Sequence, residues 1–186
     1  MSQIAPILIL VVLGLLLFVG LGYNRFVRLR NLVANSWSNI ETELKRRYDL
    51  IPNVVETVRQ YAAHEQAVLE LVTKARAQAI ATNGEPADVQ APAEQELVED
   101  LRILLATAEA YPDLKASTNF LELQQELALT EDRIQLARRI YNANVLALNT
   151  RVEVFPTNLL ARMFGFTQAS YFEVEEAARP APIVEL

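Results

Sequence analysis

Apolar residues fall first in one unbroken run and then in helical steps. Ile4 to Gly22 reads IAPILILVVLGLLLFVGLG, nineteen uncharged and mostly apolar residues. At about 1.5 Å per residue, such a run crosses a hydrocarbon core of about 30 Å. Tyr23 follows, where an interfacial aromatic belongs. A signal peptide would carry Lys or Arg ahead of the run and a small-residue cleavage site behind it. Here nothing basic precedes Ile4, and Tyr23-Asn24-Arg25 follows the run. Residues 1–23 therefore read as a transmembrane anchor.

Beyond the anchor, apolar positions recur at spacings of three and four, which predicts amphipathic helices. A first stripe holds Phe26, Val33, Trp37, Ile40 and Leu44. Asp49-Leu50-Ile51-Pro52 interrupts it. Pro52 disfavours α geometry at Ile51 and has no N–H to donate, so a turn or kink is expected there. A second stripe runs Val54, Val58, Tyr61, Val68, Val72, Ala75 and stops at Ala81-Thr82-Asn83-Gly84. Residues 84–93 hold two prolines and no periodicity, which predicts a loop spanning 82–94. A third stripe, Leu97, Leu101, Leu104 or Leu105, and Ala108, ends at Tyr111-Pro112-Asp113.

The fourth stripe is the cleanest: Phe120, Leu123, Leu127, Thr130, Ile134, Ala137, Tyr141, Asn144, Leu148. Ser117 or Thr118 suits its start, and Phe155-Pro156 ends it. A short aromatic-rich helix is expected within 154–173, with Pro156 in its first turn and Gly165 at its end. Leu159, Leu160, Met163 and Phe164 would share one of its faces. Residues 174–186 read as a flexible tail. The expected fold is all-α: a single N-terminal transmembrane helix, then an antiparallel, up-and-down four-helix bundle over 24–153. A fourth helix of about 35 residues would bring Phe155 back toward the bilayer. The short helix would then rest on the headgroups, against the juxtamembrane part of helix one, or as a cap over the bundle end.

Composition narrows the chemistry. The 186 residues are 52% apolar, which excludes a disordered chain. There is no Cys, which excludes a disulfide scaffold and Cys-based metal or haem sites. The one His, His64, stands in His64-Glu65 with Val68 where HExxH needs a second His, and no E-x-x-H occurs. No phosphate-binding Gly motif is present. No catalytic residue, metal ligand or cofactor is therefore expected. A net charge of −6 argues against nucleic acid as a partner.

The charge is uneven: residues 24–61 carry seven Lys/Arg against four Asp/Glu, and residues 62–186 carry ten against nineteen. Arg25, Arg28 and Arg30 directly follow the span, and none precedes it, which places the N-terminus outside and the rest in the cytoplasm. These arginines and Phe164 are the expected contacts with the membrane surface. Trp37 is expected in the core, with Asn35, Asn39, Asn142 and Asn149 setting helix register. Glu94, Glu96, Glu99, Asp100, Glu131 and Asp132 read as a charged solvent face. A spare apolar stripe, and a helix two that is long for a bundle of this size, lead to an expectation of self-association. The anchor holds no GxxxG, so the helical body would carry that contact.

Several motifs occur in a specific order. They are Tyr23–Arg30, Trp37-Ser38-Asn39-Ile40, Lys45–Asn53, Tyr61 with His64-Glu65, and Asn119-Phe120-Leu121 with Leu123-Gln124. Glu131-Asp132-Arg133-Ile134, Ala137–Asn142, Phe155-Pro156, Phe164-Gly165-Phe166 and Tyr171-Phe172-Glu173 follow. This string resembles the LemA family, from the anchor to about Glu173. Leu148-Asn149 stands where the family has a second Tyr-Asn pair. The resemblance implies a bacterial single-pass membrane protein with a helical bundle and no established enzymatic activity. A relative acts in forming magnetosome membranes, which implies membrane organisation. The expected function is a membrane-anchored, non-enzymatic helical scaffold in the bacterial inner membrane, in contact with the lipid bilayer and self-assembling. The alternative is an adaptor or sensor that regulates envelope-stress signalling or proteolysis through a protein partner.

Overall fold

A computed structural model of the chain describes residues 4–173, with side chains from residue 7 onward. The expected tail, 174–186, lies outside the described residues. Among the described residues there are six helices and no strand: α1 Ile4–Tyr61, α2 Gln66–Ala81, α3 Ala87–Ala108, α4 Pro112–Lys115, α5 Thr118–Glu153 and α6 Thr157–Phe164. The described residues make an all-helical fold, as the periodicity indicates.

Two expected breaks differ. Pro52 does not interrupt α1, which continues for 58 residues. Its ring is exposed, and the carbonyl that loses its N–H partner, that of Tyr48, accepts a hydrogen bond from Arg76 Nε on α2 at 2.8 Å. A partner distant in sequence thus offsets part of the cost of a mid-helix proline. The chain turns at 62–65 instead, where Glu65 N–H donates to the Ala62 carbonyl at 3.0 Å. The second helix is therefore 16 residues long, shorter than expected.

The loop expected over 82–94 is also shorter, because α3 begins at Ala87 and passes through an exposed Pro92. Ala87, Gln90, Ala91 and Glu94 are buried and extend the Leu97–Leu101–Leu104–Ala108 stripe backwards by two turns.

The fourth stripe holds. Phe120, Leu127, Thr130, Ile134, Ala137, Tyr141 and Leu148 are buried along the 36-residue α5. Pro156 stands immediately before α6 instead of in its first turn, and Gly165 ends the helix in the left-handed region at φ 71°. That conformation costs glycine nothing and disfavours other residues.

The described residues group into two units, one of residues up to Asn39 with Ala137–Ser170, the other of Ile40–Leu136 with residues from Tyr171 on. In the first, Phe26, Leu29, Leu148, Leu160 and Ala161 form the core, with Val19, Val33, Val152, Phe166 and Ala169 against it. In the second, Ile40, Leu44, Ile51, Val54, Val58, Leu97, Leu104 and Leu114 are buried. From Ile7 to Phe18 every side chain is exposed, on a helix long and apolar enough to cross a membrane.

Candidate functional site

The second unit encloses charge. Arg47 and Tyr48 lie on the buried face of α1 between Leu44 and Ile51, and Gln90 and Glu94 lie on the buried face of α3. Both Glu94 oxygens are engaged: Oε1 accepts from the Tyr48 hydroxyl and from Gln90 Nε2 at 3.3 Å, and Oε2 accepts from Arg47. The other Arg47 terminal nitrogen donates to Glu131 of α5 at 2.9 Å. Burial, and then the charge of Glu94 and the hydrogen bond to it, hold the Tyr48 phenol far above its ordinary range, outweighing the opposite pull of Arg47. Tyr48 is therefore a fixed donor, not a base or nucleophile.

A cavity of about 260 Å³ beside Arg47 and Glu131 is walled by Leu101, Leu105, Leu127 and Ala128. That is smaller than the roughly 300–1,000 Å³ of ordinary ligand pockets. The cluster binds three helices together through one guanidinium. Among the described residues, no three His, Asp or Glu converge to hold a metal ion.

The first unit encloses rings. Phe26 stacks on Phe166 with centroids 4.7 Å apart, and Tyr23 meets Phe164 edge-on at 5.0 Å. The Arg30 guanidinium lies 5.8 Å from the Phe166 ring centre, within cation–π range. At Gly22 the backbone of α1 comes so close to α6 that a Cβ there would run into the Leu160 side chain. Behind α6, Asn149 clamps the chain at Ala169: its Nδ2 donates to the Ala169 carbonyl and its Oδ1 accepts from the Ala169 N–H, both at 2.9 Å. The Tyr141 hydroxyl donates to the Ser170 carbonyl at 2.8 Å.

The sequence model of the LemA family matches residues 36–186. The chain belongs to the LemA family. It is 28% identical over 170 residues to Protein LemA of Metamycoplasma hominis, covering 90% of this chain and 76% of that one. Magnetosome protein MamQ 2 of Paramagnetospirillum magneticum is 26% identical over 211 residues, covering 98% of this chain and 77% of its own length. Magnetosome protein MamQ of Magnetospirillum gryphiswaldense is 25% identical over 187 residues, covering 87% of this chain and 68% of its own.

In this LemA-family chain the expected site residues fall on both sides of the helix surfaces. Arg25, Arg28 and Arg30 are exposed, and so is Phe164 beside Tyr23. Trp37 is half-buried with its ring 5.1 Å from that of Tyr141. Asn142 is half-buried and Asn149 is buried.

Asn35 and Asn39 are exposed, and the intervening Ser36 turns inward instead. Its hydroxyl accepts from Asn144 Nδ2 at 3.2 Å and donates to the Leu32 carbonyl at 2.7 Å. Glu94 is no part of a solvent face but one of the most deeply enclosed side chains. Its position three residues before Leu97, on the same stripe, was the available signal. Arg47 likewise stands three residues after Leu44. Asn144 already lies on the fourth stripe, where a polar residue among apolar ones marks a specific pairing.

Proposed function

We propose that the chain is a membrane-anchored, non-enzymatic helical scaffold that organises a bacterial membrane and self-assembles through its helical body. One observation carries the self-assembly: Leu129, Leu136 and Ile140 share a face of α5 at helical spacing, and all three are exposed. An apolar stripe of this kind fits a helix of a second copy. The names of the MamQ relatives, which are magnetosome proteins, support the membrane theme.

On this reading, α1, α2, α3 and α5 form an antiparallel, up-and-down bundle within the second unit. The pairs Arg47–Glu131 and Thr57–Asn119 support that arrangement, because their partners advance along α1 and retreat along α5. The positive flank after the span supports an outward N-terminus and a cytoplasmic body. An active alkaline phosphatase fused to the C-terminus would overturn that orientation.

The scaffold itself is tested by gentle detergent extraction of the full chain and mass determination by light scattering. A large homo-oligomer that Leu136→Glu reduces to a smaller species is expected. A monomer overturns the proposal. A small species that always carries a different chain replaces it with an adaptor acting through that partner.

A further inference from the structure

Three arrangements around α6 point the same way. The first is register along α1. Leu160 packs on Gly22, and Val19 packs on the cluster that holds Leu160 and Ala161. Phe164 meets Tyr23, and Phe166 stacks on Phe26. The segment from α6 to Phe166 thus overlies residues 19–26 of α1, where the apolar run that ends at Gly22 gives way to Tyr23 and Arg25. If that run fills the hydrocarbon core, residues 19–26 lie at its edge.

The second arrangement is the outward surface. Leu160 and Ala161 are buried, yet Phe155 is 74%, Leu159 55% and Met163 61% exposed. Leu159 and Met163 are four apart and share a face. The third is charge. Between Val19 and Arg30, and between Thr150 and Ser170, stand Arg25, Arg28, Arg30, Arg151 and Arg162 against Glu153 alone. Glu153 itself accepts a hydrogen bond from Gln168. That is a local +4 in a chain of net −6.

We propose that α6 is an interfacial helix whose exposed Leu159 and Met163, with Phe155 just ahead of it, insert among the headgroups and upper acyl chains of the leaflet in which the apolar span ends. The proposal rests on the reading that α1 spans the membrane. The occupant is lipid because α6 packs against the end of that span and the surrounding arginines match an anionic headgroup layer. An interfacial helix buries its apolar face about 5–10 Å into this boundary. A single helix would bind weakly and reversibly. Here the span supplies the attachment, and α6 sets how the segment after α5 meets the surface. The anchor is then two-point, a transmembrane helix with a second helix lying beside its exit.

The chain has no cysteine, so one label site can be introduced cleanly. Met163→Cys in the full chain carries an environment-sensitive dye and is reconstituted into vesicles of phosphatidylcholine and phosphatidylglycerol. Nitroxide quenchers are placed on the acyl chain either near the headgroup or near its end. The expected result is a blue-shifted dye, quenched roughly twofold more by the shallow nitroxide than by the deep one. Leu159→Cys should behave alike.

Flotation after an alkaline wash is measured on the same samples. If the protein floats but the dye is in water, the proposal fails while the span stands. If the dye is in an apolar environment yet unquenched by either lipid, a second copy or other protein covers α6, and the proposal again fails. A chain that does not float overturns the membrane reading and, with it, this one.

Discussion

Phe26 and Arg47 are both enclosed side chains of α1, twenty-one residues apart, and their surroundings share almost no chemistry. Phe26 lies among apolar side chains, Phe166, Leu160, Ala161 and Leu148. Arg47 is held between two carboxylates, with Tyr48 and Gln90 completing the shell of Glu94. Dispersion and hydrophobic burial are non-directional, so an apolar core accepts small changes of shape by repacking. A buried guanidinium–carboxylate pair is satisfied in one geometry only. The first core should therefore tolerate conservative substitution, and the second should fail when one partner is removed. The ionic cluster fixes which turn of α1 faces which turn of α3 and α5. The aromatic core fixes α6 against the end of the apolar run.

The sharpest way to break this contrast is to delete one charge. Glu94→Ala leaves Arg47 enclosed with Glu131 alone and should cost about 3–5 kcal/mol, read as a large fall in the melting temperature of the full chain in detergent. Replacing both partners, Arg47→Met with Glu94→Leu, should recover most of that loss, because no uncompensated charge remains. A single mutant that melts like the parent would show the cluster to be hydrated and the contrast empty. On the aromatic side, Phe26→Leu should cost under about 1.5 kcal/mol by the same measurement.

Intermediate effects come from Trp37, which is half-buried, and from Asn149, which is buried but uncharged. Trp37→Ala removes a ring that touches Tyr141 but keeps one side toward solvent, so about 2 kcal/mol is expected, roughly half the cost of truncating a fully buried Trp. Asn149→Ala should cost about 1–3 kcal/mol, since it strips both hydrogen bonds from the Ala169 backbone. Amide exchange at Ala169 should accelerate while exchange near Arg47 does not.

The ionic cluster also has a pH signature. The folded protein holds the Tyr48 phenol above its ordinary value, so the folded state binds its proton more tightly than the unfolded state does. The associated stability is fully present below the unfolded pKa of about 10 and is lost as pH rises beyond it. Tyr111 is also raised, by its hydrogen bond to Glu65, so it titrates late as well. In an alkaline titration of tyrosinate absorbance, the contribution of Tyr48 should stay silent until the chain unfolds. Tyr48→Phe should remove that silent group and flatten the alkaline loss of stability.

What the sequence made legible was whatever repeats locally. The apolar run to Gly22, the steps from Phe120 to Leu148, and the Pro156 and Gly165 ends of α6 are each decided within a few residues, so periodicity and capping chemistry reach them. Pro52 misleads because its compensation comes from Arg76, distant in sequence and invisible to a local pattern. The start of α3 misleads because its buried positions are Ala87, Gln90, Ala91 and Glu94, small or polar residues that carry no apolar signal. The ionic cluster was hidden for the same reason. A charge beside an apolar stripe resembles the edge of a solvent face until a partner on another helix is known.

The smallest expected effect tests that last point. Asn31, Asn35 and Asn39 step by four, a spacing that invites a reading as a polar register seam. In the folded chain all three are exposed, while Ser36, one position on from Asn35, carries the bond from Asn144. One residue is a rotation of about 100° on a helix, enough to exchange solvent for a neighbouring helix. Asn35→Ala and Asn39→Ala should therefore change stability by no more than about 0.5 kcal/mol, as surface substitutions do. Asn144→Ala leaves the Ser36 hydroxyl without its donor and should cost about 1 kcal/mol. A double-mutant cycle gives the decisive comparison. Coupling between residues 36 and 144, with none between 35 and 144, places the register in the Ser36–Asn144 pair. The reverse pattern would return it to the asparagine seam and show α1 rotated by one residue.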